Sequence, residues 1–153
     1  NVEFGLKAKK FPKERLKERS DYVIRMVGLD KYRNYYPSQL SASMLQRVVI
    51  ARAFAIEPDL LLMDEPYGQL DLSLKYKLED ELLKMWREIK TTVLFITHNI
   101  EEAVYLSDRI LVLTNKPTHI KTEIVNTLPR PRKVSDPEFV ALRSQVTDLI
   151  KWW

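Results

Sequence analysis

Cysteine is absent from this 153-residue chain, which excludes disulfides and thiolate metal sites and makes a reducing compartment the natural setting. Glycine is scarce. Gly5, Gly28 and Gly68 are the only three, and none stands before a lysine. A loop of the form Gly-x-x-x-x-Gly-Lys, which needs glycine so that backbone N–H groups can close on a phosphate, is therefore not among these residues. No apolar run approaches the ~18 residues that a membrane-spanning helix requires, and no basic-then-apolar leader opens the sequence. Charge of one sign is also in short supply, because 25 Lys and Arg against 21 Asp and Glu leave a formal balance of only +4. Much of the excess lies early, in Lys7, Lys9, Lys10, Lys13, Arg15, Lys17 and Arg19, but Glu14 and Glu18 interrupt it. That interleaving fits the solvated face of a helix better than a surface for anionic lipid. Without aromatic residues between the charges to stack on bases, nucleic acid is not an expected partner.

What is present suffices for about one domain with a real core, since 45% of the residues are hydrophobic. The first third reads as helical. Pro12 suits a first helical turn, Leu16, Ser20, Val23, Ile24 and Val27 then share one face, and Gly28 is a natural stop. After a polar, aromatic loop a second helix is expected from about Ser41. Its apolar residues wrap most of the circumference, which predicts burial all round.

The texture changes at Pro58. Leu60-Leu61-Leu62-Met63 is an unbroken apolar run, the pattern of a strand covered on both faces. Asp71 is placed to cap a helix carrying Leu74, Leu78, Leu82, Met85 and Ile89 at helical spacing. Thr92 to Thr97 reads as the next buried strand, and Asn99 with Glu102 as a capping box for a short helix ending near Ser107. Ile110 to Leu113 and Ile120 to Asn126 are further strands. This alternation implies an α/β fold with a largely parallel sheet. Leu128 to Lys133, with Pro129 and Pro131, reads as a linker, and Asp136-Pro137 opens a last helix through Phe139, Leu142, Val146 and Ile150. The expected divisions are 1–57, helical; 58–127, α/β core; and 128–153, linker and final helix.

Ligands of open parallel sheets sit beyond the carboxyl ends of the strands. Asp64 and Glu65 occupy that edge after the first strand, and Thr97-His98 after the second. Magnesium takes few carboxylates and keeps several waters, a task that suits Asp64. Glu65 can accept a proton from, or orient, an attacking water, and His98 can hydrogen-bond both that water and a phosphate oxygen. An apolar run ending in Asp-Glu is common. The same run followed by Pro66, by Leu70-Asp71 and by a strand-end histidine one strand–helix–strand unit later is not.

This constellation resembles the nucleotide-binding subunit of ABC transporters. Leu60–Glu65 is similar to the family's Walker B strand and following glutamate, Gly68-Gln69-Leu70-Asp71 to its D-loop, and Thr97-His98-Asn99 to its switch-histidine segment. Gln39 to Arg47, with Ala51-Arg52-Ala53 after it, resembles the signature motif and the helix it opens. Asn1 to Leu6 looks like the helical subdomain just after the Q-loop. Tyr36 to Leu40, Glu101 to Val104 and Leu128 to Pro131 look closest to the nitrate, sulfonate and taurine importers.

The resemblance implies the C-terminal portion of a P-loop NTPase (ABC ATPase) fold: a helical subdomain followed by part of a mainly parallel RecA-like sheet. It implies ATP and Mg²⁺ as cofactors, with Glu65 as base, His98 as phosphate switch and Asp64 as the metal's carboxylate. Ser41, Ala42, Ser43 and Met44 would serve a partner's nucleotide, and Asp71 would make a contact across the dimer. The implied partners are a second ATPase subunit, head to tail, and a membrane permease, with no direct contact to the transported solute. The implied location is the cytoplasmic face of the cell membrane, and the implied work is ATP hydrolysis coupled to import.

Two departures qualify this. The P-loop, its feeding strand and the Q-loop glutamine are missing, so the expectation is an incomplete chain whose isolated 153 residues bind ATP poorly. The signature's usual Leu-Ser-Gly-Gly is here Leu40-Ser41-Ala42-Ser43. If the two glycines are needed for positive φ or close approach, the added Cβ atoms weaken the contact. The alternative function is a degenerate, non-catalytic dimerisation subunit.

Overall fold

The computed structural model describes residues 1–68 and 72–150. Asp71, Trp152 and Trp153 lie outside the described residues, and with Asp71 the cap and dimer contact assigned to it. The chain divides into two compact units. One comprises Asn1–Met63 and Tyr67–Leu94; the other comprises Asp64–Pro66 and the chain from Phe95 onward.

The first unit is mostly helical. Helix α1 (Glu3–Ala8), α2 (Lys13–Met26) and α3 (Ala42–Ala55) pack together, and α4 (Leu72–Ile89) packs on α3. Glycine decides the approach of α1 to α3, because a Cβ on Gly5 would lie 2.6 Å from the Ile56 side chain. Pro12 is the residue before α2 rather than within its first turn. The helix buries Ser20 and Val23, and its cap residue Val27 is buried too, as the spacing predicts; Gly28, with φ +68°, follows the cap. Gly28 N–H donates to Arg25 C=O at 2.9 Å and Leu29 N–H to Ile24 C=O at 3.0 Å. That pair of bonds is the Schellman arrangement, which satisfies two carbonyls that a helix end otherwise leaves open.

Helix α3 departs from expectation. It buries Ile50, Ala51, Phe54 and Ala55, but Leu45 and Val49 are exposed. Its fully buried residues all lie in its second half, so an apolar circumference does not mean full burial. Arg47 on α3 and Glu81 on α4 form an ion pair at 2.9 Å, mostly shielded from solvent.

Strands β1 (Leu60–Asp64) and β2 (Thr92–Ile96) form a two-stranded sheet. Thr92 N–H donates to Asp59 C=O in the first unit and Glu65 N–H to Ile96 C=O in the second, an order of contacts that makes the pair parallel. The expectation that both faces of β1 are covered fails. Leu61 is buried, whereas Leu60 and Leu62 are 53% and 65% exposed. Leu94 and Ile96 of β2 are exposed too.

The second unit holds α5 (Ile100–Leu106), β3 (Arg109–Leu113), β4 (Ile120–Val125) and α6 (Pro137–Ile150). Here β3 does not extend a parallel sheet among the described residues. It pairs with β4 antiparallel, from Arg109 opposite Val125 to Leu113 opposite Ile120. The connecting turn closes on Thr114, whose N–H donates to His119 C=O and whose hydroxyl accepts the His119 N–H. Val104, Ile110, Val112, Phe139 and Val146 make the core.

The segment read as a linker is structural. Arg132 is 6% exposed, and its guanidinium donates to the carbonyls of Val104, Tyr105 and Ser107 at 2.7 to 2.9 Å and to that of Leu128. Arg130 donates to Leu106 C=O and pairs with Asp108. These arginines occupy the carbonyl end of α5, which as a helix C-terminus favours cations. Burial pulls the Arg132 pKa down to about 10, with the neighbouring Arg130 charge adding to the effect.

Candidate functional site

The chemistry-bearing residues fall into two groups, one in each unit. In the second unit the end of β1 brings Asp64, Glu65 and Pro66 beside the end of β2 and the turn after it. Asp64 is exposed at the end of its strand. Glu65 leaves the strand with φ +45°, a left-handed conformation that a residue with a Cβ adopts only under constraint. The constraint is visible on both sides of the residue. Its backbone N–H is held by Ile96 C=O at 2.9 Å, and its carboxylate Oε1 accepts the His98 N–H at 2.9 Å. His98 Nδ1 lies 2.7 Å from the same oxygen.

The sequence placed Glu65 and His98 on neighbouring strand ends, and the structure joins them. One carboxylate oxygen carries both contacts, leaving Oε2 for a water. The imidazole is 81% exposed, so its other nitrogen faces solvent. A neutral imidazole has a single donor, and Nδ1–H pointing to Glu65 makes Nε2 an acceptor. Donation from Nε2 to a phosphate oxygen while the Glu65 contact persists therefore requires a protonated ring.

The turn that carries His98 has its own support. Asn99 caps α5, its Oδ1 accepting the N–H groups of Glu101 and Glu102 at 3.0 and 3.2 Å. The reciprocal half of the expected capping box is not formed. The Asn99 N–H goes instead to Thr97 Oγ1 at 3.0 Å, and the Thr97 hydroxyl donates to Glu102 at 2.7 Å. The box spacing in the sequence was the signal for these residues, but the strand-end threonine intercepts the bond.

Magnesium was expected at Asp64. Among the described residues no group of three His, Cys, Asp or Glu could hold a metal ion. An exposed single carboxylate fits a cation whose remaining ligands are water and phosphate oxygens, as magnesium prefers. It does not fit a cage built by protein alone.

The other group lies in the first unit at the start of α3. Ser41 is the cap residue, its Oγ accepting the Met44 N–H at 3.3 Å, as a serine before a helix should. Ala42 and Ser43 are the first two residues of the helix, and neither has positive φ. The concern that their Cβ atoms strain the backbone is thus removed. Two consequences of the missing glycines remain. Ala42 is exposed, so its methyl adds to the surface at the start of the helix, where a glycine would leave none. The Ser43 hydroxyl lies 3.0 Å from the Ser41 hydroxyl, so the two share a hydrogen bond.

Comparison with known proteins places these groups in context. A family model described as ABC transporter matches residues 4–68. An uncharacterised ABC transporter ATP-binding protein of Methanocaldococcus jannaschii is 46% identical over 99% of this chain and 57% of its own length. An aliphatic sulfonates import ATP-binding protein of Bacillus cereus is 42% identical over 90% of this chain and 53% of its own. The solved structure of CbiO1 from Clostridium perfringens, titled as part of the ABC transporter complex CbiONQ, matches with a TM-score of 0.67 at 27% identity. That match covers 72% of this chain and 44% of the other. The chain spans little more than half the length of the curated relatives it matches. In sequence and in fold, this chain is similar to ABC transporter ATP-binding proteins.

Proposed function

We propose that this chain supplies the metal-and-water half of an ATP-hydrolysing site in an ABC importer, together with a signature helix that serves a partner's nucleotide. The carrying observation is the Glu65–His98 contact at the ends of two parallel strands, with Asp64 beside it. Glu65 Oε2 is free to take the proton of a water attacking the γ-phosphorus, and His98 orients that water and the phosphate through its exposed ring edge. Asp64 would hold Mg²⁺ through its water shell; when bound, the ion neutralises charge on the β- and γ-phosphates. Removing the water's proton as the bond to the leaving ADP breaks yields ADP and inorganic phosphate.

The helix N-terminus at Ser41 to Met44 favours an anion, and in the proposed dimer it faces the γ-phosphate of the opposite subunit. Asp71 is assigned the dimer-crossing contact. The partners are a second ATPase subunit and a membrane permease. No helix among the described residues is long and apolar enough to cross a membrane, consistent with a peripheral subunit at the inner face of the membrane. A nitrate-, sulfonate- or taurine-type importer is the favoured setting, supported by the sulfonate importer's subunit among the relatives.

The second reading, a subunit that dimerises without turning over, draws on Ala42 and Ser43. Mg²⁺-dependent phosphate release by the full-length gene product, measured alongside ATP-induced dimerisation, separates the two. Turnover that needs both Mg²⁺ and dimer supports the enzyme. Dimerisation with no turnover sinks it and leaves the assembly subunit.

A further inference from the structure

Glu102 is 4% exposed on the short helix that follows Glu65 and His98. Burying a carboxylate is costly unless it is hydrogen-bonded or paired, and here it takes a specific partner. Its Oε2 accepts the Thr97 hydroxyl at 2.7 Å, from the residue that immediately precedes His98. The same hydroxyl oxygen accepts the N–H of Asn99, the residue that immediately follows His98. Asn99 in turn accepts the Glu101 and Glu102 N–H groups, which closes the loop back onto the helix. His98 is thus flanked by Thr97, which is bonded to the buried carboxylate, and by Asn99, which is bonded to the Thr97 hydroxyl and to the Glu102 N–H. Its own N–H and Nδ1 both go to Glu65 Oε1.

We infer that Glu102, acting through Thr97, is a positioning residue for His98 and hence for Glu65. The reasoning is geometric. A histidine two residues beyond a five-residue strand has little to fix its ring, because the imidazole itself is almost bare of packing. Its position is set by the backbone on either side, and the Glu102–Thr97–Asn99 bonds set that backbone. An ordinary capping box would have bonded Glu102 to Asn99 alone and left Thr97 free to rotate. Here the hydroxyl joins the strand end to the helix start, so the turn holding His98 is closed by side-chain bonds at both ends. Glu65 is sensitive to this because, among the described residues, its left-handed backbone is held by Ile96 and by its bonds to His98.

The inference rests on the proposed hydrolytic role, and its test has two arms so that the failures separate. In full-length product with ¹⁵N-labelled histidine, the Nδ1 resonance of His98 is compared with that in Glu65→Gln, which defines the broken contact. Thr97→Val keeps the shape and removes the hydroxyl; it should move Nδ1 toward the Glu65→Gln position, and Thr97→Ser should restore it. Glu102→Gln retains an acceptor and should hold the wild-type position, whereas Glu102→Ala should not. In the second arm, Thr97→Val should lower kcat on the order of 10- to 100-fold, the scale of a misplaced catalytic group, with KM for ATP unchanged. An Nδ1 signal unmoved in Thr97→Val and Glu102→Ala overturns the inference, as does a change in KM alone. Wild-type turnover in Glu65→Gln would instead defeat the hydrolytic reading, and the resonance arm would still decide the placement of His98.

Discussion

His98 meets Glu65 twice on the same carboxylate oxygen, through its backbone N–H at 2.9 Å and through Nδ1 at 2.7 Å. The backbone bond survives any change of side chain at 98, whereas the ring bond does not. His98→Ala should therefore leave Glu65 in place and remove the proposed phosphate contact. Turnover of the full-length product should drop by ~10²-fold or more while the ATP dissociation constant changes little. A large loss of ATP affinity with normal turnover at saturation would contradict the switch role.

The altered signature makes a prediction with two opposite effects. Replacing Ala42 and Ser43 by glycine removes the exposed methyl and frees the Ser41 hydroxyl from its partner. Turnover should rise, because the serine and the backbone gain room to approach a phosphate. Stability should fall by up to ~1 kcal/mol per position, the helix cost of glycine relative to alanine. Steady-state turnover and thermal melting of the double variant check both signs. A fall in both would show that the two side chains help the segment.

Arg132 should be indispensable to the second unit. Arg132→Ala removes the guanidinium donor from the carbonyls of Tyr105, Ser107 and Leu128 and from that of Val104, which keeps the Asn126 amide, and a cost of about 2–3 kcal/mol is expected from bonds made to a charged group. Arg132→Lys should recover little, since an ammonium cannot reproduce the planar fork. Urea denaturation of the three proteins is the measurement.

The Arg47–Glu81 pair carries a pH signature. Burial raises the Glu81 pKa above its ordinary value of 4.5, and Arg47 pulls the other way with a smaller effect. The folded state thus holds the Glu81 proton more tightly than the unfolded chain does. Its contribution to stability is greatest at acidic pH and declines as pH rises above 4.5 through the raised value. Glu81→Gln should flatten that slope. Arg47→Met leaves the half-buried Glu81 carboxylate without its nearest cation, with Lys77 and Lys84 still acting on it, and should cost roughly 1–3 kcal/mol at neutral pH, and adding Glu81→Leu should recover most of it.

The sequence made the elements legible where a local signal was strong. Gly28, Ser41 and Asn99 mark helix ends because each supplies a backbone freedom or a side-chain acceptor that the end requires, and all three do so in the structure. The proximity of Glu65 and His98 was legible because adjacent parallel strands end at one edge. Burial was not. Leu60, Leu62, Leu45 and Val49 are apolar but exposed, since burial depends on which elements arrive, and that is not written in the local pattern. The antiparallel partner of β3 was hidden for the same reason. Arg132 was read as part of a linker because proline and basic residues look alike in linkers and in helix caps. Thr97 was missed as a positioning group because the Asn99–Glu102 spacing offered a simpler bond.

Single-turnover hydrolysis by the full-length product, wild type against Glu65→Gln, bears most directly on the role assigned to this site. With Mg²⁺·ATP bound at saturation, the variant should cleave roughly 10²- to 10⁴-fold more slowly while binding ATP as tightly as wild type. Cleavage at the wild-type rate would contradict the assignment of Glu65 as the base.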